Sequence, residues 1–188
     1  IGVAYSVVLA VFLKDKTRTL SPLLDKKVKK IPVTKGLAIL LTNISFWIIL
    51  FYFCVPGLPG WATKNWLPTL FSESLSINMS VAGPMATISI AASSFIGVIF
   101  GGFLSDRWIL KNLRGRVYTG AIGLALIIPS LLFIGFGHSL LPIVMGTVLF
   151  GIGFGMFDAN NMPILCQFVS SRLRATAYGI MNMCGVFA

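Results

Sequence analysis

The chain contains 188 residues, of which 56% are hydrophobic and 11% are charged, and 15 Lys and Arg against five Asp and Glu give a net charge of +10. A mean hydropathy of +0.91 indicates an integral membrane protein. The basic residues lie in short loops between apolar stretches. We therefore interpret the positive charge as a determinant of topology and an attraction to anionic lipid, and we expect no nucleic-acid partner.

Four apolar stretches are long enough to cross a bilayer, which requires about 20 mainly apolar residues. These stretches are residues 37–57, 81–104, 117–136 and 142–168. Residues 1–13 are also apolar but form a helix of only about 20 Å, and a further apolar helix begins near Ala175 and reaches the last residue. We predict an all-α polytopic membrane bundle with four complete spans and two truncated ones, in which residues 37–188 form the main bundle.

The basic residues are concentrated in every second loop. Residues 14–36 contain eight Lys and Arg, residues 105–116 contain four and residues 170–174 contain two, whereas only Lys64 lies on the opposite side. Loops rich in Lys and Arg face the cytoplasm, so we predict that these three loops are cytoplasmic in a multi-pass protein of the cytoplasmic or plasma membrane. Residues 14–36 are predicted to be a basic linker between the first truncated helix and the bundle.

The first complete span contains a helix-breaking segment at residues 55–60, with two prolines and two glycines. Two registers are possible. If the span begins at Leu37, the break lies at the outer interface, where the tryptophans that follow it form an aromatic belt. If the span begins near Ile44, the break lies near the midplane and Lys64 lies in the outer half of the membrane. The second register requires a cavity, because backbone groups freed at this depth need cover from protein or water.

Small residues in the second complete span predict close packing. Gly97 and Gly101 have the spacing that lets two membrane helices approach each other. The third complete span has no charged residue and is predicted to be scaffold. The three cysteines lie apart in apolar stretches, and His138, the only histidine, lies in a short loop. This distribution gives no metal-ligand spacing, so we expect no metal site and no cofactor other than a coupling ion.

Asp158 is the most unusual residue of the fourth complete span. It lies about ten residues, or roughly 15 Å, from the end of its helix, near the middle of a hydrocarbon core about 30 Å thick. A carboxylate at this depth costs at least about 2.5–3.5 kcal/mol, so it should face a cavity or the bundle interior. We interpret Asp158, with Asn160 and Asn161, as a proton- or sodium-coupling site or as the polar wall of a substrate cavity. The alternative is a neutral or hydrogen-bonded Asp that joins two helices.

The interpretation of Lys64 depends on the register of the first complete span. In the first register its long side chain extends to the outer surface beside Trp61 and Trp66 and has no further role. In the second register its ammonium group is a cationic contact for an anionic solute. The two interpretations therefore differ in whether Lys64 belongs to a binding site.

The second complete span leads into a charged segment, Gly101-Gly102-Phe103-Leu104-Ser105-Asp106-Arg107, which Arg114-Gly115-Arg116 follow. This segment resembles the inner-loop motif of the major facilitator superfamily, Gly-x-Leu-x-Asp-Arg ending in Gly-Arg, with four extra residues in the loop. The basic loop, the spacing of the spans and residues 172–179 are also similar to that superfamily, and the resemblance covers essentially the whole chain. It implies the carboxyl half of a twelve-helix transporter, from the end of helix six to the start of helix eleven.

The resemblance also implies a conformational latch at the inner end of the bundle. Asp106 would face the positive amino terminus of the helix that opens near Arg174, a charge–dipole contact that Arg107 and Arg116 would tune. Such a latch would hold one state of an alternating-access cycle and release in the other. The alternative is that these residues only mark a cytoplasmic turn. The residues assigned to the latch are Gly102, Asp106, Arg107, Arg114, Gly115, Arg116 and Arg174.

A closer resemblance concerns the first complete span. Residues 43–47 and, after a long interval, residues 66–69 are similar to helix seven of the anion:cation symporter family and of the organophosphate:phosphate antiporters. Those families transport sugar acids, other organic anions and phosphorylated metabolites. The antiporters have an arginine six residues before the equivalent tryptophan, where this chain has Gly60. Lys64 lies one turn away on the same face but lacks the fork of an arginine. This resemblance favours the register that begins near Ile44.

Together these patterns predict a proton- or sodium-coupled symporter of a small organic anion such as a sugar acid, which works by rocking two helical halves around a midplane site. The alternatives are an organophosphate/phosphate antiporter and a non-transporting sensor on the same fold. We expect no enzyme, because an active site would need a cluster of His, Asp, Ser or Cys at one depth. The expected partners are the missing amino-terminal half of the same protein, membrane lipid and the anion.

Overall fold

The computed structural model of the protein describes residues 32–137 and 139–187, and the regular secondary structure of this part is entirely helical. The helices are α1 (Val33–Leu41), α2 (Ile44–Cys54), α3 (Gly57–Leu75), α4 (Met79–Ile109), α5 (Gly115–Phe136), α6 (Leu140–Phe168) and α7 (Arg174–Phe187). The predicted all-α class is confirmed. The predictions for residues 1–13, for residues 14–31 and for His138 lie outside the described residues.

Asn43 determines where the first complete span begins. The side chain of Asn43 accepts a hydrogen bond of 2.9 Å from the backbone N–H of Ser45 and so caps α2. The indole N–H of Trp47 donates to the carbonyl of Leu41 at 2.8 Å and ties the end of α1 to the start of α2. The chain is already helical at Val33, so the last residues of the predicted loop 14–36 belong to α1.

The proline–glycine segment interrupts the helix without ending the span. α2 closes with a bond of 3.0 Å from the N–H of Val55 to the carbonyl of Phe51. Pro59 lies in the first turn of α3, where helical N–H groups have no partner within the helix, so its missing N–H costs no hydrogen bond. α2 and α3 together form one stretch long enough to cross a membrane, Ile44–Leu75, and residues 55–60 lie at its middle. This geometry favours the second predicted register.

Four stretches of the described residues are long and apolar enough to cross a membrane, and they correspond to the four predicted complete spans. They are Ile44–Leu75, Met79–Ile109, Gly115–Phe136 and Leu140–Phe168. Their outer faces expose large apolar side chains such as Phe95, Phe103 and Leu132, which lipid would cover. α4 has 31 residues and α5 has 22, so their lengths are about 46 Å and about 33 Å.

Glycines bring α6 into close contact with α4 and α5. A Cβ atom on Gly153 of α6 would lie 2.5 Å from the carbonyl oxygen of Gly123 in α5. A Cβ atom on Gly97 of α4 would lie 2.8 Å from the Cα of Ile152 in α6, and Gly101 meets α6 one turn further along. The predicted helix packing at Gly97 and Gly101 is confirmed. α6 therefore lies at the centre of the bundle, between α4 and α5. The backbones of these helices come this close to α6 because the contact positions are glycines.

Two clusters of buried apolar side chains hold the helices together. The first joins α1 and α2 to the end of α6 and to α7, and it includes Phe46, Leu165 and Met181. The second joins α3, α4 and α5 to the first half of α6, and it includes Phe71 and Phe150. α2 and α3 belong to different clusters although they form one span, so the interruption between them coincides with a boundary in the packing.

Replacing Gly101 by Ala should lower the stability of the bundle, because the new Cβ would lie 2.7 Å from the Cα of Met156. Overpacking of this kind costs about 1–3 kcal/mol. Gly102→Ala is the matched control, since a Cβ at Gly102 meets no described atom within 4 Å and both variants gain the same helix propensity. Thermal unfolding in detergent should give Gly101→Ala the lower midpoint. Equal midpoints for the two variants would contradict the close approach of α4 and α6.

Candidate functional site

A cavity of about 380 Å³ lies where α2 and α3 meet α6 and α7. Its lining combines one Lys, one Asp and one Asn with four aromatic side chains and three glycines. The lining residues are Phe53, Gly57, Gly60, Trp61, Lys64, Phe154, Phe157, Asp158, Asn182 and Gly185. The cavity adjoins the interruption between α2 and α3, which is where the second register requires one.

The glycines of the interrupted segment make room for the neighbouring helices. A Cβ atom on Gly60 would lie 2.7 Å from Cε2 of Phe154 in α6, and a Cβ atom on Gly57 would lie 3.3 Å from the carbonyl oxygen of Gly185 in α7. The segment therefore interrupts the helix, and its glycines have no side chain where α3 contacts α6 and α7. A larger residue at position 60 would have to displace the ring of Phe154.

The ring of Phe154 is also the contact of Lys64. Lys64 follows Gly60 by one turn of α3, and its Nζ lies 3.9 Å from the centre of the Phe154 ring. A cation this close to an aromatic face is attracted by about 0.5–2 kcal/mol. Phe150 stacks on Phe154 with 5.8 Å between the ring centres. The ammonium group of Lys64 is therefore directed at the cavity and held there by an aromatic stack.

Asp158 lies one turn after Phe154 on α6, so both charged groups of the cavity are neighbours of the same ring. Among the described residues Lys64 and Asp158 form no ion pair with each other. Oδ1 of Asp158 accepts a hydrogen bond of 3.3 Å from the side-chain amide of Asn161. An anion can therefore reach the ammonium group, and a cation can reach the carboxylate, without first breaking an ion pair between them.

Asn160 and Asn161 have different surroundings although they are adjacent. Asn161 is 5% exposed, and its Oδ1 has no hydrogen-bond partner in the described part of the chain. Asn160 is 1% exposed, and its amide donates to the carbonyl of Met156 at 2.8 Å. Residues two apart in a helix point roughly 200° away from each other, so Asn160 is directed away from Asp158. The structure thus brings Asn161 to Asp158 and leaves Asn160 inside the bundle.

The three phenylalanines of the lining and Asn182 are missing from the sequence predictions. Asn182 comes eight residues after Arg174, which is roughly 12 Å into α7 and close to the depth of Asp158. A count of depth along α7 would therefore have found it. The phenylalanines give no such signal, because the chain contains 15 of them and phenylalanine is an ordinary residue of apolar spans.

The predicted latch segment contains an ion pair between the end of α4 and the start of α5. Oδ1 of Asp106 lies 3.3 Å from Nη2 of Arg116, and the side chains of Asp106 and Arg116 are 73% and 23% exposed. Gly115 keeps the turn compact, because a Cβ atom there would lie 2.7 Å from the carbonyl carbon of Trp108. The turn therefore holds these two charged residues in contact at the surface.

Three further predicted latch residues lie near the ion pair in the chain without joining it. The guanidinium of Arg107 lies 5.7 Å from the centre of the Phe103 ring. The backbone N–H of Arg114 donates to the side chain of Asn112 at 2.9 Å, and the Arg114 side chain is exposed. Gly102 has no described atom within 4 Å of the position of a Cβ. Arg107 and Arg114 therefore add positive charge at the turn without taking part in the ion pair.

Arg174 makes a contact that the sequence does not predict. Its guanidinium donates to the carbonyl of Cys166 at 2.9 Å and to the carbonyl of Val169 at 3.3 Å. These carbonyls lie at the carboxyl end of α6, where a cation complements the helix dipole. In the described residues the carboxylate of Asp106 accepts its hydrogen bond from Arg116, not from the amino terminus of α7. The predicted charge–dipole contact is therefore not made in this conformation.

Comparison with protein families matches residues 1–188 to the family model described as Major Facilitator Superfamily. The match extends over the whole chain and agrees with a bundle of helices long enough to cross a membrane. Comparisons with curated proteins and with solved structures find no match. The chain is a member of the Major Facilitator Superfamily, a family of multi-pass membrane transporters.

Proposed function

We propose that the protein is a secondary active transporter that moves a small organic anion together with a proton or a sodium ion by alternating access. The observation that carries this proposal is that Lys64 and Asp158 line the same cavity, together with Phe154. Membership of the family supports transport. The chemistry of the cavity supports the anion and the coupling ion.

The lining of the cavity suits a sugar acid. A carboxylate can pair with the ammonium group of Lys64, and the face of a sugar ring can stack on Trp61, whose side chain is exposed. Asn182 offers hydrogen bonds to hydroxyl groups. A volume of about 380 Å³ is at the small end of the range for ligand sites, which supports a small solute.

The balance of charge supports coupling to a cation. One ammonium group and one carboxylate balance each other in the lining of the cavity, and an anion that binds to Lys64 adds one negative charge. Net charge in a low-dielectric membrane site is expensive, so a proton or a sodium ion at Asp158 would restore neutrality. Asn161 would orient the carboxylate through its hydrogen bond. The anion and the cation therefore favour each other's binding, which is one requirement of symport.

The remaining parts of the proposal concern the membrane and the rest of the protein. The amino-terminal half of the transporter would close the cavity from the opposite side. The loops at residues 105–116 and 170–174 would face the cytoplasm, in a cytoplasmic or plasma membrane, because they carry most of the described positive charge.

An organophosphate/phosphate antiporter is the alternative that also uses Lys64. The antiporters have an arginine at the position of Gly60, but in this chain the ring of Phe154 lies 2.7 Å from where a Cβ on residue 60 would be. An arginine at this position would have to displace the ring of Phe154, and Gly60 itself supplies no guanidinium for the two-pronged recognition of phosphate. Such an antiporter would exchange phosphate without a proton or sodium gradient, and a sensor on the same fold would accumulate no solute.

The inner end of the bundle supports a conformational latch as a further part of the proposal. An ion pair near the surface contributes only about 0–1 kcal/mol, and Asp106 is 73% exposed, so its contact with Arg116 can open at little cost. Arg174 is bound to the end of α6 in this conformation. The latch would engage when Asp106 exchanges Arg116 for the amino terminus of a helix, in another state of the transport cycle.

Asp158→Asn should abolish accumulation that is driven by a gradient, because an amide neither takes up a proton nor binds sodium as a carboxylate does. We expect uptake into proteoliposomes of the full-length protein, under an imposed pH or sodium gradient, to fall at least tenfold. Exchange of labelled for unlabelled solute across the membrane should persist, since it needs binding but no net movement of the coupling ion.

Glu73→Gln is the matched control for the Asp158 variant, because Glu73 is an exposed acid in the last turn of α3 and does not line the cavity. It should accumulate solute as the unchanged protein does. Gradient-driven accumulation that survives in Asp158→Asn would assign coupling to a different residue. Exchange of the solute for phosphate in the unchanged protein, with no accumulation driven by a proton or sodium gradient, would favour the antiporter.

Lys64→Gln should raise the KM for the anionic solute by about tenfold to a hundredfold, the value of a hydrogen bond to a charged group. Lys64→Arg keeps the charge and should recover part of the affinity. Lys35→Gln, which removes an exposed lysine of α1 outside the cavity, is the control. Initial uptake rates measured against solute concentration give these values. A KM that Lys64→Gln leaves unchanged would argue against contact between Lys64 and the anion.

Asp106→Asn should slow uptake several-fold without changing the KM, because it acts on the conformational cycle and not on the cavity. The thermal midpoint should move little, as expected for an exposed pair. Initial rates and thermal unfolding on the same preparation test both statements, with Glu73→Gln as the control. If the maximal rate of Asp106→Asn equals that of the control, Asp106 only marks a surface turn.

A further inference from the structure

A groove of about 500 Å³ opens on the outer face of the bundle beside the turn between α4 and α5. Trp108 at the end of α4 forms one wall, and the other lining residues are Tyr118, Ala121, Ile122 and Ala125 of α5. These four residues follow one stripe of the helix at intervals of three and four. The small alanines leave a channel roughly 10 Å long that runs along α5 away from the turn.

Two exposed cations, Lys111 and Arg114, lie close in the chain to the aromatic residues at the turn end of this groove. The N–H of Lys111 donates to the carbonyl of Trp108 at 3.0 Å, and the N–H of Tyr118 donates to the carbonyl of Arg114 at 3.1 Å. Each cation is therefore one helical turn from an aromatic residue of the groove. In the described part of the chain neither side chain takes part in an ion pair, because the pair in this turn uses Arg116. The groove is therefore apolar along α5 and has positively charged residues near the turn.

We propose that this groove binds an anionic phospholipid, with its phosphate at Lys111 and Arg114 and an acyl chain along Ala121 and Ala125. Charge complementarity selects this occupant over a neutral lipid, since each basic residue near a membrane surface favours an anionic headgroup about fivefold. Trp108 and Tyr118 line the groove next to the turn, and tryptophan and tyrosine are enriched where membrane spans meet the headgroups.

Quenching of tryptophan fluorescence by brominated lipid tests the proposal on the full-length protein. The protein is reconstituted in phosphatidylcholine vesicles that contain the same small fraction of either brominated phosphatidylglycerol or brominated phosphatidylcholine. The difference between the unchanged protein and Trp108→Phe isolates the quenching at Trp108. We expect phosphatidylglycerol to quench Trp108 at least fivefold more effectively than phosphatidylcholine.

Two variants separate the headgroup from the acyl chain. Lys111→Gln combined with Arg114→Gln should lower the preference for phosphatidylglycerol at least fivefold, whereas Arg172→Gln, at an exposed cation of another loop, should leave it unchanged. Ala125→Leu fills the channel and should reduce quenching of Trp108 by both lipids. Ala92→Leu, at an exposed position of α4, is its control. Circular dichroism checks that each variant keeps its helix content, which is expected because Trp108→Phe keeps an aromatic ring and the other substituted positions are exposed.

Three outcomes would overturn the proposal. The first is equal quenching of Trp108 by the two lipids in the unchanged protein. The second is a preference for phosphatidylglycerol in the double variant as strong as that of Arg172→Gln, which would place the headgroup elsewhere. The third is full quenching in Ala125→Leu, which would place the acyl chain outside the groove.

Discussion

The close approach of α6 to α4 and α5 is the constraint on which the rest of the structure depends. Lipid tails are as apolar as the side chains of the spans, so burial of apolar surface does not by itself bring these helices together. Contact between backbones does, and it is possible because glycine lies at Gly97, Gly123 and Gly153. With two of its sides occupied by neighbouring helices, α6 presents Phe154 and Asp158 to the side where the cavity lies.

Phe154 organises the charges of the cavity. It lies against Gly60, it accepts the ammonium group of Lys64 on its face, and it precedes Asp158 by one turn. The attraction of a cation to an aromatic ring is weaker than an ion pair in a site shielded from water. Lys64 is therefore held in place by a weak partner, which the carboxylate of the proposed solute would replace. The acid remains available to a cation, and the cavity keeps both charges accessible without an excess of either.

The sequence predicts those features that depend on local composition and spacing. The number of spans follows from apolar length, the depth of Asp158 follows from counting residues, and the contact at Gly97 follows from the interval between small residues. The residue at which the first span starts is harder to predict from the sequence, because residues 37–41 are as apolar as those after Asn43. Only the cap that Asn43 forms separates the two helices.

Other features of the site depend on tertiary contacts that spacing does not encode. Asn160 is a partial exception, because the angle between successive residues of a helix already directs it away from Asp158. Arg174 binds two carbonyls at the end of α6 only because the chain turns back there, so the predicted contact with Asp106 is absent in this conformation. The aromatic lining comes from α2, α3 and α6, and no single helix contains its pattern.

The unequal lengths of α4 and α5 have a consequence for the bilayer around the protein. α5, at about 33 Å, nearly matches a hydrocarbon core of about 30 Å, whereas α4 exceeds it by roughly 16 Å. A helix with this excess tilts, thickens the surrounding lipid or projects into the headgroups. Asp106 lies in the last turn of the longer helix, and Arg116 lies in the first turn of the shorter one. The thickness of the host membrane therefore acts unequally on the two helix ends that this ion pair joins.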